Sequence, residues 1–297
     1  MAISSPKYVI VSSGTKWSGA EKSPPLRNRI ENKYASMLMS EEITGIVLTY
    51  NGEKYLDRCL NSLKDCVDEL IIVDSGSGDK TLDIAEKYSE KVIHHDFENY
   101  GKQCIYAARQ ASNHWVFILD QDEILEDKLI SEINALKKSG FAHDAYSIRR
   151  RNFLFNKEIK HGGWGNDFVI RLFDRTKAFP TDNNFSVVKA EGDVKKLKNA
   201  IIHYPCDSID SYFAKMHSYA RISAKEMMEK NREFRFYNLL FNPLYRAFKK
   251  YFFQKGFLDG MHGFILAVIS YYFVFLKYLK LWEFTNINHE NNNNGES

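Results

Sequence analysis

Residues 43–79 read ITGIVLTYNGEKYLDRCLNSLKDCVDELIIVDSGSGD, and their texture decides the fold. Residues 43–49 form a short apolar run, as a strand buried on both faces does. Residues 53–66 place Tyr55, Leu56, Cys59, Leu60 and Leu63 at helical spacing. Residues 69–73 are a second apolar run. It ends in Asp74-Ser75-Gly76-Ser77-Gly78-Asp79, a turn whose last aspartate can cap a helix over 80–88. Strand, helix and strand in this order are the repeating unit of a parallel sheet.

Working outward, the alternation continues. Residues 91–94 predict a third strand, and 101–113 predict a helix carrying Ala107, Ala108 and Ala111. Residues 115–119 predict a fourth strand that runs into Asp120-Gln121-Asp122-Glu123, with a helix over 126–138 behind it. The fold class is therefore α/β, a doubly wound and mostly parallel sheet. Such sheets bind ligands beyond the C-terminal ends of their strands, where the acidic clusters of this stretch sit.

Beyond residue 140 the texture changes. Residues 145–149, 169–173 and 201–204 predict strands, and His161-Gly162-Gly163-Trp164-Gly165 is a glycine-rich turn. From Asp207 the chain reads as helical, rich in Tyr, Phe, Lys and Arg. The predicted organisation is a disordered extension over 1–40, despite a possible short strand over 7–11. An α/β domain follows over 41–205, then a helical region over 206–285 and a disordered Asn-rich tail over 286–297. With 44% hydrophobic residues the chain can bury a sizeable core. Its 41 basic and 38 acidic side chains are too evenly matched to point to nucleic acid. The four cysteines contain no C-x-x-C pair, so zinc spacing is absent and reduced core thiols are expected. No apolar stretch follows basic residues at the N-terminus, which argues against a secretory signal.

The chemistry is expected at three strand ends. Asp120 and Asp122, two residues apart where a buried strand leaves extended geometry, can face one point and offer hard oxygen ligands to a divalent cation. Read alone, the same pair could simply cap the next helix. Asp74 can accept hydrogen bonds from a base or ribose, or can order its own turn. Thr49-Tyr50-Asn51-Gly52-Glu53 can read a pyrimidine, or can start the following helix. No G-x-G-x-x-G, P-loop or G-x-S-x-G motif is present, which disfavours dinucleotide binding, P-loop chemistry and an α/β-hydrolase.

In order and spacing, residues 46–56, 71–81 and 119–123 resemble family 2 glycosyltransferases. The resemblance implies a GT-A fold, an inverting mechanism, a nucleotide-diphosphate sugar donor and a divalent metal, Mg or Mn. Arg149-Arg150-Arg151-Asn152-Phe153, His161-Gly162-Gly163-Trp164, Arg171-Leu172-Phe173, Ile202-His203-Tyr204 and residues 255–260 resemble the bacterial lipopolysaccharide-core subfamily. By that resemblance Thr49, Asn51 and Glu53 line the nucleotide pocket and Asp74 holds the base or ribose. Asp120 touches the ribose or the metal shell, and Asp122 binds the metal. Arg171 is a candidate diphosphate or acceptor-phosphate contact, because a guanidinium pairs phosphate bidentately; a surface arginine at a strand edge is the alternative. The subfamily's His-Glu pair is replaced here by Asn184-Phe185-Ser186, so the usual base is missing. Asp167 is taken as the base, with Glu191 as a second carboxylate. His161 and Trp164 are candidates for the acceptor-sugar platform. His203 reads more readily as a core histidine than as a ligand.

Residues 264–276 are apolar almost all round but shorter than the roughly 20 residues of a spanning helix, with Lys277 and Lys280 breaking the run. Arg232, Arg235, Arg246, Lys249, Lys250 and Lys255 stand among aromatics before it, a mixture that suits anionic headgroups. The expectation is a cytoplasmic enzyme peripherally attached to the inner face of the cytoplasmic membrane. It would move a hexose, with glucose from UDP-glucose the leading candidate, onto a lipopolysaccharide core or similar glycolipid. Transfer to a polyprenyl phosphate and a non-catalytic nucleotide-sugar-binding scaffold are the alternatives.

Overall fold

The computed structural model describes residues 41–184 and 188–293. The expected extension over 1–40, the strand over 7–11, the positions of Phe185 and Ser186, and residues 294–297 lie outside the described residues.

Strand β1 (Ile43–Thr49) is buried at every residue and forms the axis of the sheet. It pairs in parallel with β2 (Glu69–Asp74) on one side and β4 (Trp115–Asp120) on the other, and β3 (Val92–His94) adds to β2. The sheet then turns mixed. Strand β8 (Asp167–Asp174) runs antiparallel to both β4 and β6 (Ala145–Leu154); β11 (Val194–His203) is parallel to β6; β5 (Glu123–Leu125) is antiparallel to β11. With β7 (Lys157–Glu158) hairpinned onto β6, nine strands form one sheet among the described residues. Strands β9 (Ala178–Pro180) and β10 (Val188–Ala190) make a separate ribbon.

Side chains alternate across a strand, so β1 feeds two cores. Ile43 and Val47 pack with α1 (Leu56–Leu63) and α4 (Asp127–Ser139), while Ile46 and Leu48 face α3 (Tyr100–Arg109). Helices on both faces are what a doubly wound sheet requires. Gly45 has a packing reason: a Cβ there would lie 2.9 Å from Val67 Cγ1 and 3.0 Å from Leu63 Cδ2. Helix α2 (Thr81–Ala85) follows β2, and the Asp79 carboxylate does bond its first turn, accepting from the Thr81 backbone N–H at 3.0 Å. Cys59, Cys66 and Cys104 are buried.

The C-terminal helices are α5 (Ile209–Glu229), α6 (Phe236–Phe248) and α7 (Met261–Asn293); Ser208 and Ser211 form a capping box on α5. Both α5 and α6 pack on α7. Leu154, Ile159, Tyr212, Leu266 and Ile269 form a third core joining α5 and α7 to the β6–β7 hairpin. Two sequence expectations change here. Lys277 and Lys280 do not end the last helix, and Met261–Asn286 is long and apolar enough to cross a membrane by length and composition. The helix also runs to Asn293, into the stretch whose composition reads as a disordered tail.

Candidate active site

A cleft of about 920 Å³ opens beyond the C-terminal ends of the parallel strands, walled on its far side by α5, α6 and α7. The register places the strand ends together: Thr49 stands opposite Asp74 and Leu48 opposite Asp120. Thr49 donates its hydroxyl to Gln121 Oε1 at 2.6 Å, the Tyr50 N–H donates to the same oxygen at 2.8 Å, and Gln121 Nε2 returns a bond to the Tyr50 carbonyl at 3.0 Å. Gly52 makes this possible, since a Cβ there would fall 2.3 Å from Gln121 Oε1.

A charge network fills the floor. Arg171 on β8 is 6% exposed; its guanidinium bonds Asp120 Oδ2, Glu123 Oε1 at 2.6 Å and the Tyr100 hydroxyl at 2.9 Å. Tyr100 in turn donates to Asp120 Oδ1 at 2.7 Å. Arg150 on β6 reaches Glu123 at 3.3 Å and Asp167 Oδ2 at 2.9 Å. Burial pushes the Asp120 carboxyl up, but Arg171, Tyr100 and Arg150 together hold it below the usual carboxylate range.

Asp122 is placed differently. Its carboxylate lines the cleft, and among the described residues no side-chain donor bonds it. Burial lifts it to about 7; Lys215 on α5 opposes that rise, and Asp120 and Glu123 add to it. His203 Nε2 lies 3.7 Å from Asp122 Oδ2. The other ring nitrogen, Nδ1, is 2.6 Å from Asn152 Oδ1, and Asn152 Nδ2 points to the Trp164 carbonyl and to Asp167. That amide orientation makes Nδ1 the protonated nitrogen and leaves the Nε2 lone pair facing Asp122. Burial, with Arg150 and Lys215 nearby, keeps this imidazole well below its usual range, hence neutral. A carboxylate and a neutral imidazole held in place by Asn152 suit a small divalent cation whose remaining ligands are phosphate oxygens and water. Among the described residues no group of three His, Cys, Asp or Glu side chains is placed to hold a metal unaided.

Residues 44–188 match the family model described as Glycosyl transferase family 2. That stretch is a family 2 glycosyltransferase domain. A glycosyltransferase of Rickettsia conorii, RC0292, is 29% identical over 82% of this chain and 91% of its own length. The lipopolysaccharide core biosynthesis glycosyltransferase LpsC of Rhizobium meliloti is 26% identical over 83% of this chain and 94% of its own. Among solved structures, TarS 1-349 of S. aureus in complex with UDP-GlcNAc shares 18% identity over 76% of this chain and 79% of that one, at a TM-score of 0.41.

In this family 2 glycosyltransferase the cleft gathers Thr49, Asp120, Asp122, Trp164, Asp167 and Arg171. Four expected site residues stand elsewhere. Asp74 is 1% exposed and turned into its own loop, accepting from the Gly76 and Ser77 backbone N–H groups at 2.8 and 2.9 Å and from the Ser77 hydroxyl. It shapes the turn that brings Ser75 to the cleft. Asn51, at φ +47, bonds Ser77 and Gly78, and Glu53 bonds Asp79 and Lys80; these two join the loops after β1 and β2. His161 is tied by its backbone and ring to Asp259, at 2.8 and 3.1 Å, and does not line the cleft. Arg171 lines the cleft with its fork already taken by protein carboxylates, so it is neither a free phosphate contact nor a surface arginine. Glu191 is exposed, outside the cleft. Glu123, Arg150, Tyr100 and Lys215 escape a linear reading. A weak signal exists for Arg150, because three consecutive arginines on a strand cannot all face solvent.

Proposed function

We propose that this glycosyltransferase transfers a hexose, glucose from UDP-glucose first among the candidates, from a nucleotide-diphosphate donor onto a lipopolysaccharide-core-type glycolipid with inversion. The observation that carries the reading is Asp122, a cleft-facing carboxylate without a side-chain donor beside the free Nε2 of His203. The kinship with LpsC supports the acceptor class.

Asp122 and His203 would hold a divalent cation, Mg or Mn, and when bound such an ion neutralises charge on a departing diphosphate. Lys215, whose amino group donates to the Pro205 carbonyl at 3.1 Å and which Asp122 helps keep charged against the effect of burial, adds positive charge on the same side. Asp120, held ionised by Arg171, is poised for a ribose hydroxyl, and Thr49, Tyr50 and Ser75 border the nucleotide end. Asp167 is the base in this reading: its bonds from Arg150 and Asn152 all end on Oδ2, so Oδ1 can take the acceptor hydroxyl's proton. Trp164 gives the acceptor sugar an apolar face. The exposed aromatics of α6 suit attachment to the inner face of the cytoplasmic membrane.

Turnover of nucleotide sugars with manganese tests this. Asp122→Ala should abolish transfer with the fold intact, and Asp167→Asn should lower kcat about 100-fold or more with UDP affinity kept. Because a proton competes with the cation at Asp122, manganese affinity should climb with pH and level off above about 7. Full activity in Asp122→Ala would remove the metal assignment. Donor binding without transfer to any acceptor would favour the scaffold, and transfer to a polyprenyl phosphate alone would favour that alternative.

A further inference from the structure

The cleft has a second charged end. Lys250 is 8% exposed, and its amino group lies 5.8 Å from the centre of the Trp164 ring, with Arg246 one helical turn earlier at the cleft mouth. Among the described residues no carboxylate lies within ion-pair distance of Arg246, Lys250 or Lys277, although Lys250 is buried. The fold is built around this lysine. It sits in a π-helical turn, Lys249–Phe253, a deviation frequent at functional sites. A glycine lets one backbone close on it: a Cβ at Gly256 would fall 2.8 Å from the Lys250 carbonyl. Burial and the neighbouring Arg246 push the lysine down to about 8, and the same two causes lower Lys277 on α7. Arg246 repels both lysines, and cations without an internal counter-ion are costly unless a ligand supplies the anion.

This basic end is separate from the donor end. From Asp122 the path runs through His203 and Asn152 to Trp164, and Lys250 lies on the next contact along. We propose that Arg246 and Lys250, with Lys277 behind them, form a subsite for a phosphoryl group carried by the acceptor. Three cations match a dianion better than a single carboxylate, and the arginine fork suits phosphate oxygens. The proposal rests on the sugar-transfer reading for the word acceptor, but the anion site itself does not depend on it.

Calorimetry on the full chain decides the matter. The probes are glucose 6-phosphate and a short-chain phosphatidic acid, each titrated with and without saturating UDP and manganese. At least one probe should bind with the nucleotide present, and Arg246→Gln/Lys250→Gln should weaken it about tenfold or more. Lys250→Arg should keep most of the affinity, and UDP affinity should not change in either variant. A preference for glucose 6-phosphate would identify a phosphorylated sugar; a preference for phosphatidic acid would identify a lipid phosphate. The subsite is overturned if neither probe binds, if the double variant binds as well as the parent, or if UDP affinity falls in parallel. Failure of the parent protein to bind UDP would instead sink the nucleotide-sugar reading, and the titrations without UDP would still decide the subsite.

Discussion

At Arg171 the guanidinium holds two carboxylates that the sequence places three residues apart, Asp120 and Glu123, and its Nε is left without a partner among the described residues. The pairing fixes Asp120 as an ion and leaves Asp122, between them in sequence, as the carboxylate open to a ligand. Arg171→Met should therefore strand two buried negative charges and cost about 3–5 kcal/mol, read as a fall in Tm. Arg171→Lys should recover part of it, because one ammonium replaces the charge but not the fork. A methionine variant that melts with the parent would show the network to be dispensable. Asp74, Asn51 and Glu53 teach the converse. A carboxylate or amide after a strand looks alike in sequence whether it meets a nucleotide or its own turn. Here the backbone N–H groups of Gly76, Ser77, Gly78 and Lys80 take these side chains first.

Among the elements, β1, β2 and β4 are legible because burial on both faces forces continuous apolar runs. The three-residue β5 is not, since its existence depends on β11 nearly eighty residues later. Glu123 pairs with His203 there, and the Tyr204 N–H bonds the Asp122 carbonyl at 3.0 Å. That pairing turns a histidine with an ordinary core signature into a neighbour of Asp122. The glycine-rich turn is a second case: its His161 serves a latch. The Asp259 carboxylate accepts from the backbone of Lys160 and His161, and the Asp259 carbonyl accepts from Lys157 Nζ at 2.9 Å. Asp259→Ala should leave those N–H groups unsatisfied, cost about 1–3 kcal/mol, and speed hydrogen exchange over 157–165. Unchanged exchange in that segment would deny the latch, and His161→Ala should leave UDP affinity untouched.

For the whole molecule, one side of the helical region is apolar and uncovered. Phe241, Leu244, Tyr245, Phe248 and Phe252 are each more than half exposed and border a groove of about 700 Å³ between α6 and α7. On the inner side of α6, Leu239 and Pro243 are buried and Arg246 and Lys250 continue that face into the cleft. A membrane against the aromatic side would bring a lipid-linked acceptor to the basic mouth. Cosedimentation with phosphatidylglycerol vesicles should be strong, and Phe241→Ser/Phe252→Ser should weaken it about tenfold or more. Release by alkaline carbonate from cell membranes is the result expected of a peripheral protein, and resistance would make Met261–Asn286 a span.

The sequence by itself determined the alternating strands and helices, the strand ends around which the candidate site gathers, and the family. Those follow from short-range rules, because hydrophobic period and strand-end composition are local properties. Only the tertiary structure decided which polar groups are free. Arg171, Arg150, Glu123, His203 and Lys250 acquire their roles from partners on distant strands and helices, and desolvation makes each such pairing all-or-none. Whether a charge is satisfied by the protein or left for a ligand is settled by packing across the fold.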